Sequence, residues 1–453
     1  MTVSTNSIVS GNEADELAAL GALVDAKPRT TPVRVALFGD STADFAQDSN
    51  WDCETPSPVF GASGTVSIGS YHERTTITQL YPMAHLVAAC GIGGETTTLM
   101  LAREAAGSSA TRKAVADLLS KKPDVIIYRG GSINDVAAAT EATAESLAAT
   151  AFTNQKTLIG RLLSAGVPII VQGIFGYGDG SAANSATPNA VRTALLSLNA
   201  QTKAYCSGFP GRLYYIDPQE QGVQSADGRI VSGMSHDGVH LSTWGGYIAA
   251  QAEKTIFVAL FGASANVRFQ GANLIPNALF SATGAHAAGT RATGLGLYST
   301  NATLAGAGIE VGPDGQIYQV MTGTYTAAGN FLTIAIENAP IASAGIVSGD
   351  TFGFEYDFFI EPLNGLGLVP VVSGSFGGIN IQKTAQGYVF CSNKWTRGGA
   401  IQSRYAGKMA LGPFRINEAS ANLALSGFSL QIGSDHTSGS VKIGISNPRM
   451  VKM

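Results

Sequence analysis

The chain has no run of lysine or arginine, and its charge is slight. Its 28 Lys+Arg against 32 Asp+Glu leave a net −4, with charged residues only 13% of the total. A nucleic-acid partner calls for a basic face, and none is visible. Cysteine is scarce: Cys53, Cys90, Cys206 and Cys391 are scattered, without CxxC or Cys/His ligand spacing. They read as buried free thiols, with one disulfide left open, and neither a metal nor another cofactor is expected. No stretch approaches the roughly 20 apolar residues of a membrane span. The first 26 residues hold no positive charge and no continuous apolar core, so no secretory signal is expected. A soluble chain of cytosolic synthesis follows as the expectation.

What is present is glycine (55 residues) and 45% hydrophobic residues over a length of 453, which predicts two or three globular domains. The first 260 or so residues alternate short apolar runs with helical segments. The runs 33–38, 85–90, 124–129, 168–175 and 213–217 are bounded by Gly, Pro or Asp and suit strands buried on both faces. Helices are predicted over 96–106, 110–122, 144–166, 189–205 and 242–261. In the last, Ile248, Ala252, Ile256, Ala259 and Leu260 share a face. Such alternation predicts an α/β domain, flavodoxin-like, with a parallel five-stranded sheet between two helical layers. Residues 46–75, rich in Ser, Gly, Thr and Pro, read as a loop insertion. Beyond residue 264 the period becomes two. Phe352, Phe354, Tyr356 and Phe358 alternate with small or charged residues, as do Leu332, Ile334 and Ile336, Phe428, Leu430 and Ile432, and Val441, Ile443 and Ile445. That pattern predicts an all-β, jelly-roll-like sandwich. The expected organisation is a helical segment over 1–30, an α/β domain over 31–263 and a sandwich over 264–453.

The first apolar run ends in "FGDS". Alone, Gly-Asp-Ser is ordinary turn material. In an α/β domain, however, ligands gather beyond the C-terminal ends of the strands, which is where Ser41 falls. A nucleophilic serine needs a base, and the base an orienting group. In "SGMSHDGVHLSTW", Asp237 and His240 stand three apart just before the last helix. That spacing lets the carboxylate hold Nδ1–H and leaves Nε2 facing a hydroxyl. His236 adjoins Asp237 directly, so the two side chains should diverge. Acyl transfer also needs oxyanion donors. "CGIGGETTT" lets backbone N–H groups approach a substrate, with Thr96 or Thr97 to cap a helix, and "YRGGSINDV" offers the neutral amide of Asn134. Asp40 is expected to bond nearby N–H groups. Arg129 stands between two readings, a contact for an anionic substrate and a buried structural pair. His72, His85, His286 and His436 show no partner pattern.

"FGDS", "GIGGET", "GGSIND" and "DGVH", in this order and at the ends of predicted elements, resemble the four blocks of the GDSL-type esterases, the SGNH hydrolase superfamily. The resemblance covers about residues 33–261. It implies Ser41 as nucleophile, His240 as general base and acid, and Asp237 as its orienting group. It implies an oxyanion hole of the Ser41 N–H, the Gly94 N–H and the Asn134 side chain, with Gly93 a rival for Gly94. The glycine block lacks the Asn that often precedes it, and the third block spaces its glycines unevenly before Asn134. Many such enzymes remove O-acetyl groups from polysaccharides, and the β half resembles a carbohydrate-binding or oligomerisation module. An acetylated glycan or small ester is the expected substrate. An adhesive, phage-tail-like glycan binder is the alternative, and a thioesterase or acyltransferase a further one.

Overall fold

The computed structural model describes residues 30–43, 77–105, 114–129, 133–178, 189–235, 237–326, 330–336, 350–363, 369–370, 374–383, 387–395, 400–415, 423–433 and 439–453. Five strands form the first sheet: β1 (Val33–Gly39), β2 (Ala84–Gly91), β3 (Val125–Arg129), β4 (Ile169–Gln172) and β5 (Leu213–Ile216). They lie in the order β2-β1-β3-β4-β5, all parallel. Along β1 and β3 successive side chains go to opposite faces, as the pleat requires. Ala36, Phe38, Ile126 and Tyr128 meet Met100, Leu118 and Leu158 on one side. Val35, Leu37, Val125 and Ile127 meet Ile77 and Phe257 on the other. The apolar runs are continuous because both faces are covered. Among the described residues the helices are α1 (Ile77–Leu80), α2 (Thr97–Ala105), α3 (Val115–Ser120), α4 (Ile133–Val136), α5 (Ala144–Leu163), α6 (Asn189–Ser207) and α7 (Thr243–Phe261).

Two expectations are corrected here. The fourth strand stops at Gln172 instead of running to residue 175, and Gly173, Tyr177 and Gly178 give their N–H groups to Ile216, Gly228 and Gly238. On α7 the buried face is Gly246, Ala249, Ala250, Glu253 and Phe257, while Ile248, Ala252 and Ile256 are half-buried and Ala259 is exposed. The reason is Glu253, fully buried because it pairs with Arg129. A period reading that turns every glutamate to solvent rotates the helix away from its true face. The insertion at 46–75 and nearly all of the helical segment expected over 1–30 lie outside the described residues, as do Cys53, His72, His236 and His436. Cys90 and Cys206 are buried free thiols.

The second half is a β-sandwich. Its larger sheet runs, in spatial order, β17 (Tyr405–Arg415), β12 (Thr351–Pro362), β19 (Gly439–Lys452), β10 (Ile317–Tyr325), β9 (Thr303–Val311), β7 (Gly289–Ala292) and β6 (Thr283–His286). The smaller runs β15 (Gly387–Trp395), β14 (Gly374–Lys383), β18 (Leu423–Gly433), β11 (Phe331–Ile336) and β8 (Leu295–Thr300). A short pair, β13 (Val369–Pro370) with β16 (Ala400–Ile401), stands apart. The alternating Phe354, Tyr356 and Phe358 face inward with Leu332, Ile334, Val441 and Ile443. Glu355 and Asp357, on the opposite face of β12, are also buried, held by Arg449 (3.1 Å) and Lys408 (2.8 Å). The sandwich core does not close on itself. Met234, Leu241 and Trp244 of the α/β half belong to the same apolar cluster as Ile275, Ile401 and Tyr405.

Candidate active site

The sheet order places its topological switch point between β1 and β3, the place in an open α/β sheet where ligands gather. Ser41 lies beyond the end of β1 and Asn134 beyond the end of β3. The tip of β1 is tightly built. Gly39 sits against the Arg129 carbonyl, so close that a Cβ would lie 1.6 Å from that oxygen. Asp40 is fully buried, and its Oδ1 accepts from Thr42 N (2.8 Å) and Thr42 Oγ1 (2.9 Å). Ala43 N closes the turn onto Asp40 O at 3.0 Å. Ser41 rides this turn, half-buried.

Its partner comes from the segment before α7. His240 Nε2 is 2.8 Å from Ser41 Oγ, and His240 Nδ1 is 2.7 Å from Asp237 Oδ2. The other oxygen, Oδ1, accepts from Val239 N (2.9 Å) and His240 N (2.7 Å). The carboxylate therefore orients both the ring and the loop that carries it. Because Nδ1 faces a carboxylate, it bears the proton and Nε2 presents its lone pair to the serine. Ser235, which the sequence reading passed over, ties this loop into a knot. Its Oγ accepts from Gly238 N (2.8 Å) and donates to His240 O (2.7 Å). The signal was a serine two residues before an aspartate, a spacing suited to local side-chain-to-backbone bonds.

Asn134 joins the other two segments. Its Nδ2 donates to Glu95 O at 2.9 Å and lies 3.5 Å from Asp40 Oδ2. It thus spans the residue after Gly94 and the residue before Ser41. Gly94 is exposed at φ +76°, in the left-handed region that glycine enters freely, and Gly93 beside it is exposed too. Thr96 caps α2 through Leu99 N (3.2 Å), whereas Thr97 is held by Asp135, N to Oδ2 and Oγ1 to Oδ1, both at 2.8 Å. Burial pushes the Asp135 carboxyl above the ordinary carboxylate range, the two Thr97 bonds pull it back, and the charge of Asp40 pushes again. Arg129 pairs with Glu253 and is buried, the geometry of the structural reading. His85 accepts from Arg268 at 2.7 Å, and His286 accepts from Ala288 N at 3.2 Å. No group of His, Cys, Asp and Glu suited to a metal ion occurs among the described residues. No helix among them is long and apolar enough to cross a membrane.

Residues 37–246 match the family model described as GDSL-like Lipase/Acylhydrolase. This part of the chain is a GDSL-like lipase/acylhydrolase domain. Among solved structures, a GDSL-like lipase from Bacteroides thetaiotaomicron is similar at 15% identity and a TM-score of 0.34, over 54% of this chain and 98% of that one. An acetyl-xylooligosaccharide esterase from Geobacillus is similar at 17% identity and a TM-score of 0.34, over 53% and 100%. A xylan-binding domain from Paenibacillus barcinonensis is similar at 9% and 0.25, over 40% and 95%. No curated protein matches the chain. The acylhydrolase domain carries all four sequence blocks described above.

Proposed function

We propose that the acylhydrolase domain is a serine esterase working through an acyl-serine intermediate, with Ser41 as nucleophile, His240 as base and Asp237 as the group that orients it. The observation that carries this reading is the unbroken chain from Ser41 through His240 to Asp237, at 2.8 and 2.7 Å. Ser41 Oγ attacks the ester carbonyl as His240 Nε2 takes its proton. The carbonyl oxygen becomes an oxyanion, met by the N–H groups of Ser41 and Gly94 and the amide of Asn134. Asn134 suits this part. Its Nδ2 donates to Glu95 O at 2.9 Å, and Asp40 Oδ2 lies 3.5 Å away, a long contact readily exchanged for an oxyanion. Collapse expels the alcohol, which leaves with the proton from His240. Water, deprotonated by the same nitrogen, then attacks the acyl-serine and releases the acid.

The narrower reading is that the acyl group is an acetate on a sugar hydroxyl, supported by the resemblance to esterases that deacetylate polysaccharides. The test is hydrolysis of chromogenic esters, from acetate to decanoate, by the native chain and by Ser41→Ala. The native chain should favour acetate, and Ser41→Ala should lose at least about 10³-fold in kcat. Equal rates in both proteins would defeat the serine mechanism. Acetate release from acetylated xylan and other acetylated polysaccharides then tests the glycan reading, which fails if only the chromogenic esters turn over.

A further inference from the structure

The loop that carries His240 has two sides. Its front faces Ser41. It is closed at the base by an antiparallel bridge between Ser235 and Leu241, by Ser242 N on Met234 O (2.8 Å) and by Ser242 Oγ on Gly233 O (2.9 Å). Its back, made of Met234, Leu241 and Trp244, packs into the apolar cluster that the sandwich completes with Ile275, Ile401 and Tyr405. Gln402 fills the space beside Gly233, its Nε2 2.7 Å from where a Cβ would lie.

One side chain concentrates these contacts. The Tyr405 ring is fully buried and stacks on Tyr247, centroids 4.1 Å apart, and Tyr247 stacks on Trp244 at 5.4 Å. On its far side Tyr405 stacks on Phe358 of β12 at 5.8 Å. Its hydroxyl donates to Gln79 of α1 at 2.7 Å. A ladder of rings thus runs from the first turn of α7, four residues past His240, into the sandwich sheet.

Resting on the serine-esterase reading above, we propose that Tyr405 is a positioning residue for His240. The sandwich is then the back wall of the acylhydrolase site, and its role is to hold the Asp237–His240 loop in register with Ser41. Reaction geometry is steep in distance, and a displacement of about 1 Å costs on the order of 10²-fold in rate. The loop bears the base, while Ser41 is fixed independently by β1. Loosening the wall therefore moves one member of the pair against the other without touching substrate.

The experiment compares Tyr405→Ala, Tyr405→Leu and Tyr405→Phe with the native chain and Ser41→Ala on a chromogenic acetate ester. Competent sites are counted by fluorophosphonate labelling, and unfolding midpoints are measured alongside. Tyr405→Phe loses the bond to Gln79 but keeps the stack, so its midpoint should fall while kcat per labelled site stays near native. Tyr405→Leu keeps apolar volume without a ring, and Tyr405→Ala keeps neither. Both should lose about 10- to 100-fold in kcat with little change in KM, and the acid limb of kcat/KM against pH should shift as the Asp237–His240 pairing loosens. Native kcat and an unmoved limb in Tyr405→Leu would overturn the proposal, whether or not Tyr405→Ala folds. So would a kcat that follows the unfolding midpoint across all three variants. A native chain no faster than Ser41→Ala would instead bring down the esterase reading itself.

Discussion

Gly39 shows how little freedom the turn that carries Ser41 has. An alanine there would put its Cβ 1.6 Å from the Arg129 carbonyl oxygen, 2.8 Å from the carbonyl carbon and 3.2 Å from Ala43 Cβ. All three belong to parts that cannot swing aside: a backbone in the middle of the sheet and the turn that follows Ser41. The strain must be relieved by moving the tip of β1 away from β3, and Ser41 moves with it. Gly39→Ala should therefore lower kcat on a small ester by about 10²-fold and reduce stability by about 1–3 kcal/mol through overpacking. Steady-state kinetics and urea unfolding on the same preparation check both. Native activity with Gly39→Ala would mean that β1 does not set the position of Ser41. Asp40 contributes differently. With its Oδ1 occupied by Thr42, its carboxylate braces the turn from beneath.

Among the elements, α7 depends most on a single buried charge. Arg129 at the end of β3 and Glu253 on α7 are ion-paired with side-chain exposures of 5% and 0%, so neither has water to fall back on. Removing one partner of such a pair leaves an uncompensated buried ion and costs about 3–5 kcal/mol. Glu253→Ala should lower the unfolding free energy from urea titration by that amount, with a lower midpoint, and leave KM for a neutral acetate ester unchanged. A raised KM at an unchanged midpoint would instead make Arg129 a substrate contact. This pair also marks where sequence reading succeeds and fails. The five strands of the first sheet were legible because each is a short apolar run buried on both faces. Ser41 and Asn134 could be picked out because they stood just past two of those runs, and Asp237 and His240 because they stood three apart just before the last helix. The face of α7 was not legible, since its centre is a glutamate whose burial depends on an arginine 124 residues away. Ser235 was missed because its bonds are to backbone atoms, so its one mark in the sequence is a serine two residues before an aspartate, which any turn can carry.

At the scale of the whole molecule, the change of period near residue 264 says where strands replace helices, but not that the two halves share a core. Tyr405 pairs with elements more than 150 residues earlier, and no local pattern encodes that. A second junction lies at the edge strand β2. There Arg268 donates to His85 Nδ1 at 2.7 Å, while its own N–H bonds to Glu355 Oε2 at 2.8 Å. Burial, foremost, and the charges of Arg268 and Arg34 lower the His85 pKa from 6.5 to about 3. The folded chain therefore holds His85 neutral through the range in which the unfolded chain takes up a proton. The stability linked to it is fully present above pH 6.5 and is lost as pH falls from there toward 3. The slope from this one group is at most about 1.4 kcal/mol per pH unit. Glutamine can accept the Arg268 bond but cannot be protonated in this range. His85→Gln should thus unfold at a midpoint close to that of the native chain near neutrality. At more acidic pH it should lose less stability than the native chain, so that the two curves diverge as pH drops through the window. Parallel curves across that window would show that the junction does not hold His85 neutral, and that acid destabilises this molecule through other groups.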